Sequence, residues 1–233
     1  MPDSATGEPD FLAVILAMAE LEIVDTWHTL GMRATGSNDV IVADVFVPDH
    51  RVAHVFDRVP RPPALANPMY GMVPWPAVHV HSAVPLGIAK GALAHAVEVA
   101  RMKVPNFTQV ALKDREVVQD HLARARGALE GASAYLRSAM ADGLAAVAAG
   151  GLGTEHKISL QLAANQAATA AEEAMRLIHR TMGTTTVRDE GGMGRRFRDV
   201  NSIIQHASIQ PGRWESAGKV MFGLEPDWFV FQV

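Results

Sequence analysis

Residues 154–182 read TEHKISLQLAANQAATAAEEAMRLIHRTM and place an apolar side chain at every third or fourth position. A period close to 3.6 residues is typical of an amphipathic helix that buries one face. The predicted buried stripe consists of Leu160, Ala164, Ala167, Ala171, Met175, Ile178 and Met182. The sequence therefore predicts a long helix that packs largely through small residues, with Thr154 as its N-cap.

Three more helices are predicted around this one, and each has its own apolar stripe. The first carries Val84, Ile88, Ala92, His95, Val99 and Met102, with Pro85 in its first turns. The second spans about 113–149 and carries Val118, Leu122, Ala125, Leu129, Ala132 and Leu136. The fourth, at 194–208, carries Phe197, Val200, Ile204 and Ala207. Since a glycine-rich break at 150–153 suits a turn between antiparallel helices, we predict a mainly α fold built on a four-helix bundle.

The N-terminal part of the chain has the pattern of strands rather than helices. Residues 11–18 and 20–27 have strand length, and residues 39–47 (DVIVADVFV) alternate β-branched side chains. The segment GMRATGSN at 31–38 contains turn-forming residues between them. We predict two or three strands of an incomplete β-domain.

The composition changes along the chain predict four regions. They are a disordered lead-in at 1–10, a partial β-domain at 11–56, a proline-rich linker at 57–76 and a helical bundle at 77–233.

Overall composition excludes several classes of function. The 48% of apolar residues is enough for a real core, and a net charge of -4 without a basic stripe excludes a nucleic-acid partner. No cysteine is present, which excludes disulfides and thiolate chemistry and fits a reducing compartment. The apolar run at 11–19 is too short to span a bilayer. We expect a cytoplasmic protein with no membrane partner.

The common short catalytic motifs are absent from the sequence. There is no GxSxG, no GxxxxGK[ST] and no HExxH, and no GxGxxG follows a strand. Of the ten histidines, His79 and His81 lie two positions apart, so on a helix they point about 200° apart and cannot share an ion. We predict no metal site.

Two stretches carry a resemblance to a known family. Residues 25–48 read DTWHTLGMRATGSNDVIVADVFVP, and residues 195–206 read RRFRDVNSIIQH, followed by ESAGKVMFGLEPDW at 215–228. With the long helices between them, they resemble the C-terminal half of the acyl-CoA dehydrogenase fold, specifically its flavin-dependent monooxygenase branch.

That resemblance implies an activity and its partners. It implies hydroxylation of a small aromatic or polycyclic substrate with O2 and with reduced FMN or FAD from a separate flavin reductase. It also implies a homo-oligomer, a tetramer in relatives. A full-length relative has an N-terminal helical domain and more of the β-domain before this segment, so we expect a fragment or a second polypeptide that supplies the rest.

The resemblance also implies flavin contacts at five residues, which are Trp27, Gly183, Thr184, Thr185 and Arg198. A glycine and two short hydroxyl side chains allow close approach and offer hydrogen-bond donors. Alternatives remain open for three of them. Trp27 could instead fill the gap between sheet and bundle, Gly183 could be a plain helix C-cap, and Arg198 could form an ion pair with Asp199 that fixes the fourth helix.

His206 is the predicted catalytic residue. In dehydrogenases that keep their general base on this helix, an Arg-Asp pair precedes an IYEG-like sequence whose Glu removes a proton. Counted from Arg198 and Asp199, that position is Ala207 here and His206 stands just before it. Imidazole titrates near neutrality, so His206 could donate a hydrogen bond to the oxygen-carrying flavin or accept the phenolic proton. We expect its ring to face a cleft beside the bundle; the alternative is an interface histidine.

Two other functions stay open at this point. The first is an acyl-CoA dehydrogenase-like desaturase or oxidase, because some dehydrogenases place their base on another helix. The second is a non-catalytic bundle that serves assembly.

Overall fold

A computed structural model describes residues 12–54, 63, 66–188 and 191–232. Its contacts divide the chain into two compact units. We call Met1–Thr29 with Arg33–Ala66 the N-terminal unit, and Leu30–Met32 with Asn67–Val233 the helical unit. The predicted lead-in at 1–10 lies outside the described residues, as does much of the first half of the predicted linker.

The described residues of the N-terminal unit form two separate antiparallel strand pairs. Its strands are β1 (Leu12–Val14), β2 (Glu22–Val24), β3 (Asp39–Ile41) and β4 (Val52–His54). β1 pairs with β4 and β2 pairs with β3, with Ile23 opposite Val40. The three predicted strands are present but shorter than predicted, and β4 was not predicted. Arg51 forms an ion pair with Glu20 at 3.0 Å, which ties the segment before β2 to the residue before β4.

Five α-helices form the described part of the helical unit. They are α1 (Trp75–Met102), α2 (Glu116–Ala148), α3 (Thr154–Met182), α4 (Met193–Ile203) and α5 (Gly212–Met221). α3 packs against each of the other four, so it forms the centre of the bundle. The mainly α fold is confirmed. The fourth helix, however, ends at Ile203 rather than at residue 208, and α5 was not predicted.

Burial on α3 and α2 follows the predicted stripes. Every member of the α3 stripe has a relative exposure of 0%. On α2 the predicted positions are either buried or partly buried against the core. Thr154 is not the N-cap of α3, because Gly153 occupies that position and no side chain caps the helix there.

The predicted stripe on α1 is only partly correct: Ala92 is buried, and Ile88 and Val99 pack against the core. Val84 and Met102, however, are exposed, whereas Ala89 and Ala96, which lie outside the predicted stripe, are buried in the core. The sequence favours large apolar residues as core, but this interface buries alanines, which let helices approach closely.

α1 also begins earlier than predicted. It starts at Trp75, so Pro85 lies inside the helix rather than in its first turns. Because proline has no N–H, the carbonyl of His81 receives no α-helical hydrogen bond from residue 85. α1 is long and apolar enough to cross a membrane by length and composition alone, a test that core helices of soluble proteins also pass.

Candidate functional site

Two histidine rings lie face to face where α1 meets the segment after α4. The ring centroids of His81 and His206 are 3.7 Å apart and their planes are 30° from parallel. His81 lies on α1 and is half-buried, whereas His206 is exposed. His206 lies in the turns after α4 and not on that helix, which corrects the predicted helical position.

Ser208 joins the two rings. Its Oγ lies 2.8 Å from Nδ1 of His206 and 3.1 Å from Nδ1 of His81. Its backbone N–H also donates to Nδ1 of His206, at 3.3 Å. Ser208 is only 5% exposed, so the bridge lies beneath the rings, on the protein side.

A buried amide on α3 fixes the segment that carries Ser208. The Nε2 of Gln161 donates to the carbonyl of Ser208 at 3.0 Å and to Oδ1 of Asn165 at 2.9 Å. Gln161 and Asn165 are 0% and 1% exposed. An amide buried this deeply needs partners, so the segment at residue 208 is tied to the centre of the bundle.

His79 points away from this pair of rings, as its position two residues before His81 on a helix predicts. Its Nε2 lies 3.0 Å from the carbonyl oxygen of Leu160, inside the core. Burial lowers the pKa of His79 to about 4, and the bond to Leu160 opposes that shift only in part. The pKa of His81 is also lowered, first by burial and then by the neighbouring His206. Both effects favour neutral imidazoles on this part of α1.

A second group of predicted residues lies at the end of α3. Gly183 has φ +58° and its N–H bonds to the carbonyl of His179, so it is a helix C-cap. Nζ of Lys103 donates to Oγ1 of Thr185 at 2.5 Å and to the carbonyl of Met182 at 3.0 Å. Thr184 is exposed, and its hydroxyl has no hydrogen bond among the described residues. The two threonines therefore differ: one hydroxyl is occupied and the other is free.

Arg198 lies near this turn. A Cβ built on Gly194 would be 2.8 Å from the carbonyl of Thr186 and 3.3 Å from Nη1 of Arg198, so the guanidinium lies beside the turn at 183–186. Arg198 is half-buried. The predicted ion pair with Asp199 is not found among the described residues; Asp199 instead accepts a hydrogen bond from the backbone of Met32.

The structure thus brings the predicted residues of the helical unit together in two places. Gly183, Thr184, Thr185 and Arg198 lie near the start of α4, and His206 follows its end. α4 has 11 residues, so the two places are separated by about 15 Å along its axis. Trp27 lies in the N-terminal unit, where its backbone N–H donates to Oδ1 of Asn38 at 2.9 Å, and its flavin role stays a prediction.

An open cavity of about 1000 Å³ lies elsewhere, at the turn between α2 and α3. It is lined by residues such as Asp142, Gly150 and His156 and includes none of the predicted site residues. The expected cleft beside His206 therefore stays a prediction.

The donor set is compatible with a flavin nucleotide. Thr184 offers a free hydroxyl and Arg198 a positive charge, groups that bind phosphate or carbonyl oxygens. Gly183 adds an exposed stretch of backbone, with nothing within 4 Å of a Cβ built on it. These residues fit the cofactor that the sequence predicts.

Comparisons with known proteins add a family and named relatives. Residues 79–211 match the family described as "Acyl-CoA dehydrogenase, C-terminal domain". The chain is 30% identical over 217 residues to an indole-3-acetate monooxygenase of Pseudomonas putida, covering 91% of this chain and 54% of that protein. It is also 30% identical over 229 residues to the flavin-dependent monooxygenase oxygenase subunit HsaA of Rhodococcus jostii, covering 93% of this chain and 58% of that one.

A solved structure matches over nearly the same range. XiaF from Streptomyces sp., in complex with FADH2 and glycerol, has a TM-score of 0.82 at 26% identity, covering 96% of this chain and 59% of that one. The chain therefore spans somewhat more than half the length of the relatives it matches.

Proposed function

We propose that this chain forms the helical part of a flavin-dependent monooxygenase. The chain belongs to the acyl-CoA dehydrogenase C-terminal domain family, which is the premise of the proposal. The observation that carries this proposal is the 30% identity to two named monooxygenases over more than nine tenths of the chain. The substrate class is a small aromatic or polycyclic compound, and the reaction is its hydroxylation by O2.

Reduced FMN or FAD is the proposed cofactor; when bound, it supplies the electrons with which one oxygen atom of O2 is transferred to the substrate. The Thr184 hydroxyl and the Arg198 guanidinium are the proposed holding groups, because neither has a hydrogen bond or ion pair among the described residues. Thr185 contributes less through its side chain, since its hydroxyl already accepts a bond from Lys103.

His206 is the proposed catalytic residue. Its ring is exposed, and no hydrogen bond of its Nε2 is found within the described part of the chain, so that nitrogen is available to substrate or cofactor. The exposed ring needs a cover that excludes water during the reaction. We propose that the remaining part of the enzyme, or a second copy of this chain, provides that cover.

The proposed partners follow from the same relatives. HsaA is named an oxygenase subunit, which suggests a separate flavin reductase here as well. We further propose a tetramer, because α1 exposes apolar side chains such as Val80 at 61%. Light scattering tests the proposed tetramer, and a clean monomer contradicts it.

The proposed location is the cytoplasm, in keeping with the absence of cysteine.

Dehydrogenation is the weaker alternative. Ala207 stands where the IYEG-like motif of some dehydrogenases has its glutamate, and alanine cannot remove a proton. Mixing the flavin-loaded protein with an acyl thioester under anaerobic conditions tests this alternative directly, because a dehydrogenase would bleach the oxidised flavin.

The deciding experiment has two stages. The chain is first titrated with FMN and FAD, oxidised and reduced; saturable binding at tens of micromolar is expected, and its absence favours an assembly bundle. The chain is then combined with a flavin reductase, NADH and a panel of phenols, and O2-dependent hydroxylated product is measured.

His206→Ala is expected to lower product formation by about 10²–10⁴-fold without weakening flavin binding. His50→Ala, at an exposed position of the N-terminal unit, is the matched control; equal activity of the two variants contradicts the role of His206.

A further inference from the structure

The hydrogen bonds around Ser208 determine which nitrogen of each histidine carries a proton. A backbone N–H can only donate, so the bond from Ser208 N to His206 Nδ1 requires that Nδ1 is unprotonated. A neutral His206 then carries its proton on Nε2.

The hydroxyl of Ser208 continues the same chain of bonds. Its Oγ lies 2.8 Å from the unprotonated Nδ1 of His206, so the hydroxyl must donate there. Because its proton is used in that bond, Oγ accepts from Nδ1 of His81 at 3.1 Å. His81 is therefore the Nδ1–H tautomer, although neutral imidazole in water favours Nε2–H. Both tautomers follow from one backbone donor.

We propose that Ser208 is a positioning residue that holds His206 as its Nε2–H tautomer, so that His206 donates a hydrogen bond at Nε2 and does not accept a proton there. This inference deepens the proposed function and rests on it for its catalytic meaning. It decides between the two roles that the sequence left open for His206: hydrogen-bond donor is retained and acceptor of the phenolic proton is not.

The surroundings keep this arrangement in place. A proton on Nδ1 of His206 would face the N–H of Ser208, two donors against each other. The segment cannot turn away easily, because Gln161 holds the carbonyl of Ser208 from α3. The α3 side chain that contacts Ser208, Gln161, is uncharged, and so is Asn165, to which Gln161 also donates. The titratable group on α1 that faces Ser208 is His81, while His79 points to Leu160.

The test is the ¹⁵N–¹H correlation spectrum of the histidine side chains, recorded on the whole chain at about pH 8, above the ordinary histidine pKa. His81→Gln and His206→Gln each remove one set of signals and so assign the rest. The expected result is Nε2–H for His206 and Nδ1–H for His81.

Substitutions at Ser208 test the part of the hydroxyl, because the backbone N–H that bonds to His206 stays in each variant. Ser208→Ala removes the acceptor for His81, so His81 is expected to shift to the Nε2–H form; Ser208→Thr keeps the hydroxyl and the Nδ1–H form. Ser133→Ala is the matched control, because Ser133 is also 5% exposed but its hydroxyl bonds to Leu129 on α2. In the hydroxylation assay, Ser208→Ala is expected to lower product formation about tenfold, as for one lost hydrogen bond, with rescue by threonine.

Each outcome has one meaning. Nδ1–H at His206 or Nε2–H at His81 in the unaltered protein, or an unchanged His81 signal in Ser208→Ala, overturns the inference whatever the activity. The expected tautomers together with no flavin binding and no hydroxylation overturn the proposed function and leave the assignment of Ser208 standing.

Discussion

The backbone N–H of Met32 donates a hydrogen bond to Oδ1 of Asp199 at 2.7 Å, across 167 residues of sequence. The preceding residue, Gly31, is buried, and a Cβ built on it would point at the backbone of Arg198. The segment Leu30–Met32 therefore packs directly on α4, within the helical unit. α4 lies between the two groups of site residues, so this contact helps to set the position of both.

Gly31→Ala is expected to destabilise the helical unit. A Cβ at this position would lie 2.3 Å from the carbonyl oxygen of Arg198 and 2.7 Å from the nitrogen of Asp199. Both are backbone atoms, which cannot rotate away, so α4 or the segment must shift. We expect a loss of roughly 1–3 kcal/mol in the free energy of unfolding, measured by urea denaturation.

Gly127→Ala is the control for this change. A Cβ on Gly127, an exposed position of α2, meets nothing within 4 Å. Alanine in a helix interior is favoured over glycine by roughly 0.5–1 kcal/mol, so this variant is expected to gain stability. Equal stability of the two variants would show that the segment does not pack on α4 in solution.

Substitutions of Asp199 separate its charge from its hydrogen bond. Asp199→Ala leaves the N–H of Met32 without this acceptor and is expected to cost about 1–2 kcal/mol, since the site is only half-buried. Asp199→Asn keeps an oxygen in the same place and should retain most of the stability. Urea midpoints of the two variants provide the measurement; an equal loss in both would mean that the charge matters and the Met32 bond does not.

The helices could be predicted because their patterns are local. The stripe of α3 repeats for about six turns, and each turn adds to the same signal, so both the ends of the helix and its buried face are as predicted. The stripe of α1 was predicted only in part, because alanines such as Ala89 and Ala96 make up much of its buried face, whereas the prediction favoured larger residues such as Val84 and Met102, which are exposed. Strand β4 was missed because its pairing with the distant β1 is not visible in any local pattern.

The site could be predicted only in part. His206 follows from its position beside a family motif, but its partners do not. His81 lies 125 positions earlier in the sequence and Ser208 looks like an ordinary turn residue. Only the packing of α1 against the segment after α4 brings them together. Lys103 was missed for the same reason, since its bond to Thr185 spans 82 residues.

The two threonines after α3 are expected to respond differently to valine. Thr184→Val removes a free, exposed hydroxyl, so we expect flavin affinity to fall about 2- to 10-fold with little change in stability. Thr185→Val removes the oxygen that Lys103 contacts, so we expect a loss of roughly 1 kcal/mol in stability and a smaller effect on flavin. Flavin titration and urea denaturation of each variant provide the two readouts. The reverse pattern would assign the flavin contact to Thr185.

His79 is expected to make the protein sensitive to acid. Its pKa is about 4 in the folded chain, lowered from 6.5 by burial, so between those values the unfolded chain binds the extra proton. The stabilising contribution is therefore complete above about pH 6.5 and is lost as the pH falls towards 4. At 1.36 kcal/mol for each pKa unit, the total loss is about 3 kcal/mol.

Urea denaturation at several pH values measures this loss of stability. His79→Gln, which can still donate to the carbonyl of Leu160, should lack this fall, whereas the exposed His50→Gln should keep it. If the curves of the unaltered chain and His79→Gln run parallel, His79 is protonated within the fold and the buried, neutral imidazole described for α1 is wrong.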